Sequence, residues 1–184
     1  VTDFAEGQAI RIDLATGKRE TVLDIDGIFD NSAVGPDDTV YSAAFADGAI
    51  WAASPSGKTR QVTNSGIIDA GGVAVDAKGS VLLADWFSLK RYTNGKLVRT
   101  IYDRFDPPGA GMSGPNTVSV SGANVIITGY FSNVLQVLDA TTGAVSQDVR
   151  DLKTPTNAIV HGSGIAVAQA GAAGSGGRRA PRLQ

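Results

Sequence analysis

Four oxygen-bearing side chains stand just ahead of short apolar runs. They are Asn31 before Ala33–Val34, Asp69 before Gly72–Val75, Asn116 before Val118 and Asn157 before Ile159. Carboxylate and amide oxygens are the donors a hard divalent cation takes, about six to eight of them for calcium. If the runs that follow are strands lying side by side around one axis, the four side chains share a level at one end of it. They would then form a hard-cation site. The same residue types are also favoured in the turns that precede strands, and Asn116 and Asn157 neighbour prolines. His161, the only histidine, follows "NAIV" (157–160). Its expected place is a turn at the far end of that strand, away from a substrate at the near end. With one histidine placed so and no cysteine, neither a Ser–His–Asp arrangement nor a Cys/His zinc spacing can be drawn.

The elements that must position these residues repeat. "AVGPDDTVYSAAF" (33–45), "GVAVDAKGSVLLADW" (72–86) and "TVSVSGANVIITGYF" (117–131) each read strand, turn, strand, aromatic. The second-strand valine falls at Val40, Val81 and Val125, spaced 41 and 44, and the aromatic at Phe45, Trp86 and Tyr130 keeps the same spacings. Phe4 adds one more aromatic 41 residues before Phe45. A third strand and a glycine turn follow in "GQAIRIDLATGK" (7–18), "GAIWAASPSGK" (48–58), "SLKRYTNGK" (88–96) and "NVLQVLDATTGA" (133–144). A fourth strand completes each unit. Gly17, Gly57, Gly95 and Gly143 occupy one recurring turn position that suits positive φ. Four short strands in ~40–45 residues make a β-propeller blade. A sandwich or barrel has short strands but needs no such self-similarity.

The expected organisation is all-β, with about four blades of four short antiparallel strands over residues 1–170. Residues 1–26 read as a partial blade, 27–67, 68–108 and 109–152 as full blades, and 153–170 as a second partial blade. Either the C-terminal first strand closes a four-bladed ring or this is a fragment of a larger one. The open blade edges favour the fragment. Residues 171–184, "GAAGSGGRRAPRLQ", are rich in Gly and Arg and read as a disordered tail.

Composition fits this reading. Sixteen Asp against two Glu, with 23 Gly, point to turns rather than helices. A net charge of −2 gives no basic field for nucleic acid. No apolar run is long enough to span a membrane as a helix. The absence of cysteine rules out disulfides but leaves the compartment open.

"GGVAVDAKGSVLLADW" (71–86) resembles the strand–turn–strand of NHL-repeat and gluconolactonase-like (senescence-marker-protein) propellers. "GPNTVSV" (114–120) and "PTNAIVHGSGIAVAQAG" (155–171) resemble the Pro-Asn lead-ins to the innermost strands of the latter. The resemblance covers residues 1–170 and implies a six-bladed ring with a divalent cation, commonly calcium, in its central channel. It implies hydrolysis of a lactone or related ester, with the metal polarising the carbonyl and a water as nucleophile. Asn116, Asn157 and Asp69 would be the metal ligands and Asn31 the substrate contact. The family places a Glu where Asn31 stands, and its catalytic Asp has no clear counterpart, "TPTN" carrying Asn157 instead. The competing function is an NHL-like platform that binds a protein, peptide or sugar-like ligand on one face.

Three further features bear on the site. Asp85 and Asp3 recur at one position and read as carboxylates that hydrogen-bond backbone between strands or blades, with channel acidity as the alternative. The aromatics at 45, 86–87 and 130–131 are expected to pack between blades, an exposed Trp86 being the alternative as a sugar-stacking surface. "DPPGAGMSGPN" (106–116) is the longest non-repetitive loop and is expected to shape the channel mouth.

Overall fold

The computed structural model describes residues 1–3, 6–103, 115–161 and 164–170. Every regular element among them is a strand. Three sheets are complete. The first contains β4 (Phe29–Val34), β5 (Val40–Ala44), β6 (Ala49–Ala53) and β7 (Thr59–Thr63). The second contains β8 (Ala70–Val75), β9 (Val81–Asp85), β10 (Ser88–Thr93) and β11 (Lys96–Asp103). The third contains β12 (Pro115–Ser121), β13 (Asn124–Gly129), β14 (Val134–Asp139) and β15 (Val145–Val149). A three-stranded sheet, β1 (Thr2–Asp3), β2 (Gln8–Ile12) and β3 (Arg19–Asp24), precedes them. A two-stranded sheet, β16 (Pro155–His161) and β17 (Gly164–Gln169), follows. All ladders are antiparallel between consecutive strands.

The first strands β4, β8, β12 and β16 lie against one another in that order. They are the inner strands of successive propeller blades. Burial falls from the second strand outward. β5 and β9 are buried at every residue, whereas β15 is exposed at every residue. That gradient explains the polar fourth-strand sequences "TRQVT" and "VSQDV", which need face only water on their outer side.

The apolar residues form layers between blades rather than one core. Leu82, Leu89, Val125, Ile127 and Leu138 fill the layer between the second and third complete sheets. Tyr41, Ile50, Val73, Leu83 and Tyr92 fill the preceding one. Period-two alternation sends Leu82 and Leu83 to opposite faces of one strand, so each serves a different layer. Val40, Val81 and Val125, which set the sequence period, are all buried.

The turns obey their residue types. Gly17, Gly57, Gly95 and Gly143 all have positive φ, as the sequence required. At Gly143 a Cβ would also meet the Ile101 carbonyl oxygen at 2.6 Å, so the turn of one blade is pressed on its neighbour. The abundant Asp residues hold such turns. Asp139 accepts the main-chain N–H groups of Thr141 and Thr142 at 2.9 and 2.6 Å, and Asp13 those of Ala15 and Thr16 at 3.1 and 2.7 Å. At Asp13 the Thr16 hydroxyl, donating at 2.7 Å, contributes most, at Asp139 the Thr142 N–H; these bonds favour the charged form and hold both carboxyls below the ordinary range.

The aromatics meet the expectation in part: Trp86 packs against Phe131 of the next blade, with ring centroids 5.2 Å apart. Phe45, Tyr130 and Phe131 are 36%, 37% and 61% exposed, and Trp86 is half-buried. They follow the second strand at its end and are not members of the buried interblade layers, which aliphatic residues, Phe29, Tyr41, Tyr92 and Tyr102 fill. Phe4, most of the 106–116 loop and the 171–184 tail lie outside the described residues.

Candidate functional site

Each inner strand begins with a register shift against its second strand. The shifts fall between Phe29 and Asn31, Ala70 and Val73, Pro115 and Thr117, and Pro155 and Asn157. A β-bulge adds a residue, bends the strand and re-aims the side chain it carries. Here it recurs at the same end of the same strand in four blades. It therefore shapes the channel mouth.

The ladders also fix which residues share a level, and the answer differs from the sequence count. Asn31 pairs with Ala43 and Asn157 with Ala168, three residues beyond Val40 and Ile165, which pair with the equivalent Val34 and Val160. They share a level with Gly72 and Thr117. Asn116 sits one step earlier, in the bulge, level with Asp30, Gly71 and Thr156. Asp69 lies two steps earlier again, just ahead of Ala70. The four sequence candidates thus occupy three levels rather than one. Asn31 and Asn157 line a common groove of about 280 Å³ between the inner strands, with Ser32, Val73, Val118 and Ser119 among its walls. The amide oxygen of Asn157 also accepts the Ala158 N–H at 2.8 Å. His161 ends β16 opposite Gly164, at the end away from the bulges, as expected.

Asp30 is the candidate site residue that the sequence reading missed. Its Oδ2 lies 3.5 Å from where a Cβ on Gly71 would sit, and the carbonyl oxygens of Asn116 and Ala84 lie 3.0 and 3.2 Å from the same point. Three strands therefore turn oxygen atoms toward the bare side of Gly71. At Gly72 a Cβ would meet Thr117 Cα at 2.4 Å, so only glycine permits this approach of β8 to β12.

Asp69 completes the acidic cluster. Its Oδ1 is buried and has no hydrogen-bond partner. Burial, then the charges of Asp85 and Asp30, push its carboxyl up to about 6. Burial likewise raises Asp30. Asp85, fully buried, accepts the N–H groups of Ile68 at 3.0 Å and Asp69 at 2.6 Å. Its other oxygen pairs with the Lys90 ammonium, which also donates to the Gly66 carbonyl at 2.5 Å. Asp85 is thus the structural carboxylate that the sequence reading favoured, tying the lead-in of β8 to β9. Asp3, its counterpart in the first sheet, accepts the Glu6 N–H at 3.3 Å.

Beside Asp85 the chain is strained. The Phe87 N–H bonds back to the Asp85 carbonyl across Trp86, whose φ is 22°. A three-residue turn with positive φ at a bulky residue is rare, and such conformations cost on the order of 1–3 kcal/mol.

Among the described residues no group of three or more His, Asp or Glu side chains is placed to hold a metal ion. A cation at this mouth would complete its shell from amide and main-chain oxygens. The unpartnered Asp69 Oδ1 and the oxygens around Gly71 fit that hard donor set.

Comparison with known proteins bears on the fold. No protein-family model matches the chain. No curated protein matches it either. Solved structures do. A catalytically inactive virginiamycin B lyase from Staphylococcus aureus, solved with quinupristin, superposes with a TM-score of 0.69 at 14% identity, covering 88% of this chain and 56% of that one. Kuenenia stuttgartiensis hydrazine synthase gives 0.63 at 17% identity, covering 83% of this chain and 45% of that one. The nidogen/laminin complex gives 0.51 at 17%, covering 81% of this chain and 74% of that one. The chain spans about half the length of the lyase it matches. These likenesses are to β-propellers and establish that fold for this chain.

Proposed function

We propose that this chain is part of a propeller hydrolase that holds a divalent cation, calcium by its oxygen donors, at the channel mouth and acts on a lactone or ester. The observation that carries the reading is the buried, unpartnered Asp69 Oδ1 beside a second carboxylate, Asp30. Buried carboxylate oxygens are costly unless a donor or a cation answers them. Asp69 and Asp30 would hold the ion, with Asn116 and Asn157 supplying oxygens from the neighbouring blades. Asn31, on the level of Asn157, would contact the substrate. A divalent cation bound there supplies Lewis-acid polarisation of the acyl carbonyl. The buried Asp85–Lys90 pair keeps the Asp69 backbone in register, so that its carboxylate stays at the mouth. A six-bladed ring of gluconolactonase type, suggested by "GPN" and "PTN", belongs to the same proposal. A lyase among the propeller neighbours gives a precedent for an enzyme on this fold.

A second reading is a non-catalytic, NHL-like platform with a protein or ligand partner on one face. The exposed Tyr130 and Phe131 favour it. Thermal unfolding after chelation separates the two. Added calcium or manganese is expected to raise the midpoint by several degrees, as for any ligand bound only by the folded state. The rise should vanish in Asp69→Asn and in Asn116→Ala combined with Asn157→Ala. A folded protein with no rise at millimolar metal ends the cation reading and leaves the platform.

A further inference from the structure

Two structural features meet at Asp85. Through its side chain it holds the lead-in of β8, accepting the Ile68 and Asp69 N–H groups at 3.0 and 2.6 Å. Through its main chain it closes a turn, its carbonyl accepting the Phe87 N–H across Trp86. Lys90 fixes the side chain, pairing with its second carboxylate oxygen and donating to the Gly66 carbonyl at 2.5 Å. Asp85 is fully buried, and packed interiors transmit displacement instead of absorbing it. A shift of the Asp69 backbone therefore reaches the turn.

The turn is poised, not relaxed. Trp86 has a φ of 22°, an outlier for a bulky residue. Such a conformation persists only where its surroundings over-determine it. One constraint is the Asp85 bond to Phe87. Another is the indole ring, which rests on Phe131 with planes 59° apart, a tilted geometry that aromatic pairs favour. Phe131 follows β13, so this contact joins the second complete blade to the third.

The same two blades meet at the mouth. The Asn116 carbonyl oxygen, from β12, faces the bare side of Gly71 in β8. A cation held by Asp69 together with oxygens of β12 would draw these strands together. Asp30 and Asp85 act on Asp69 as like charges, and a cation would relieve that repulsion. The lead-in of β8 could then settle more firmly on Asp85.

We infer that the channel mouth and the Trp86–Phe131 contact are coupled through Asp85, so that a cation at the mouth favours the held turn, with Trp86 resting on Phe131. In the competing released turn the Phe87 bond opens, Trp86 returns to negative φ and its ring leaves Phe131. The inference rests on the proposed cation site and adds its regulation. Whatever parts the two rings loosens the cation, because coupling between sites acts by the same factor in both directions.

The test uses the full chain with Trp51→Phe, which leaves Trp86 as its single tryptophan. Calcium is titrated after chelation while acrylamide quenching of the Trp86 emission and the thermal midpoint are read together. Quenching is expected to fall as calcium binds, over the same concentrations that raise the midpoint. Phe131→Ala is expected to weaken calcium about fivefold, the lower end of couplings of this kind. Phe131→Tyr should keep the parental affinity. Phe131 is 61% exposed, so neither change threatens the fold. Stabilisation by calcium with unchanged Trp86 quenching, or parental calcium affinity in Phe131→Ala, overturns the coupling while the cation site stands. A folded parent that calcium does not stabilise ends both.

Discussion

The Asp85 carboxylate accepts the main-chain N–H of Asp69 at 2.6 Å, so one buried acid on a second strand sets the position of another at the channel mouth. Lys90 neutralises the first. The second has burial and two like charges around it. The two acids are therefore opposite in role, one tying backbone and the other left available to a ligand.

Removing the Asp85 charge leaves Lys90 buried without its partner. Asp85→Asn is expected to destabilise the fold by about 3 kcal/mol in urea unfolding. Adding Lys90→Met should recover part of that loss. A single variant as stable as the parent would contradict the tie.

Asp69 makes stability depend on pH in a definite direction. Its folded value of about 6 lies above the ordinary 3.8, so the folded state binds the proton more tightly. This contribution is greatest below the ordinary value and is lost as pH rises through about 6. Asp69→Asn, without metal, should therefore be more stable than the parent at pH 7.5. After solvent screening the gain is on the order of 1 kcal/mol. The two proteins should converge near pH 4, and thermal unfolding at both pH values checks it.

Gly72→Ala drives a methyl group into the backbone of β12, 2.4 Å from Thr117 Cα and 2.7 Å from Val118 N. The expected cost is about 3 kcal/mol. Gly17→Ala, with nothing within 4 Å but a φ of 71°, should cost about 1 kcal/mol. Equal losses would show that close approach is not what reserves position 72 for glycine.

Leu82 and Leu83 are both fully buried but belong to different interblade layers. Each change to Ala should cost about 3 kcal/mol. Because the two share no layer, the double variant should equal their sum to within about 0.5 kcal/mol. A strongly non-additive double would mean that the layers are coupled.

The blades were legible because their signals are local. Val40, Val81 and Val125 recur with the repeat, and glycine marks each third turn. The channel mouth was legible only in part. Alternation counts residues, and a bulge adds one without altering composition, so Asp30 hid beside Asn31 and the four candidates fell on three levels. The exposure of Phe131 and Tyr130 was not legible for a related reason. Periodicity places a residue along the repeat but does not say whether the strand still continues there, and at Phe131 β13 has already ended. Asp85 was readable as structural because its isolated acid within an apolar second strand demanded buried partners.

Among the described residues every ladder joins strands adjacent in the chain. The entropy of closing long loops is therefore spent little at a time, and a blade can form as soon as its own residues are available. Such a chain can assemble in the order of its synthesis, each finished blade offering its apolar face as the template for the next.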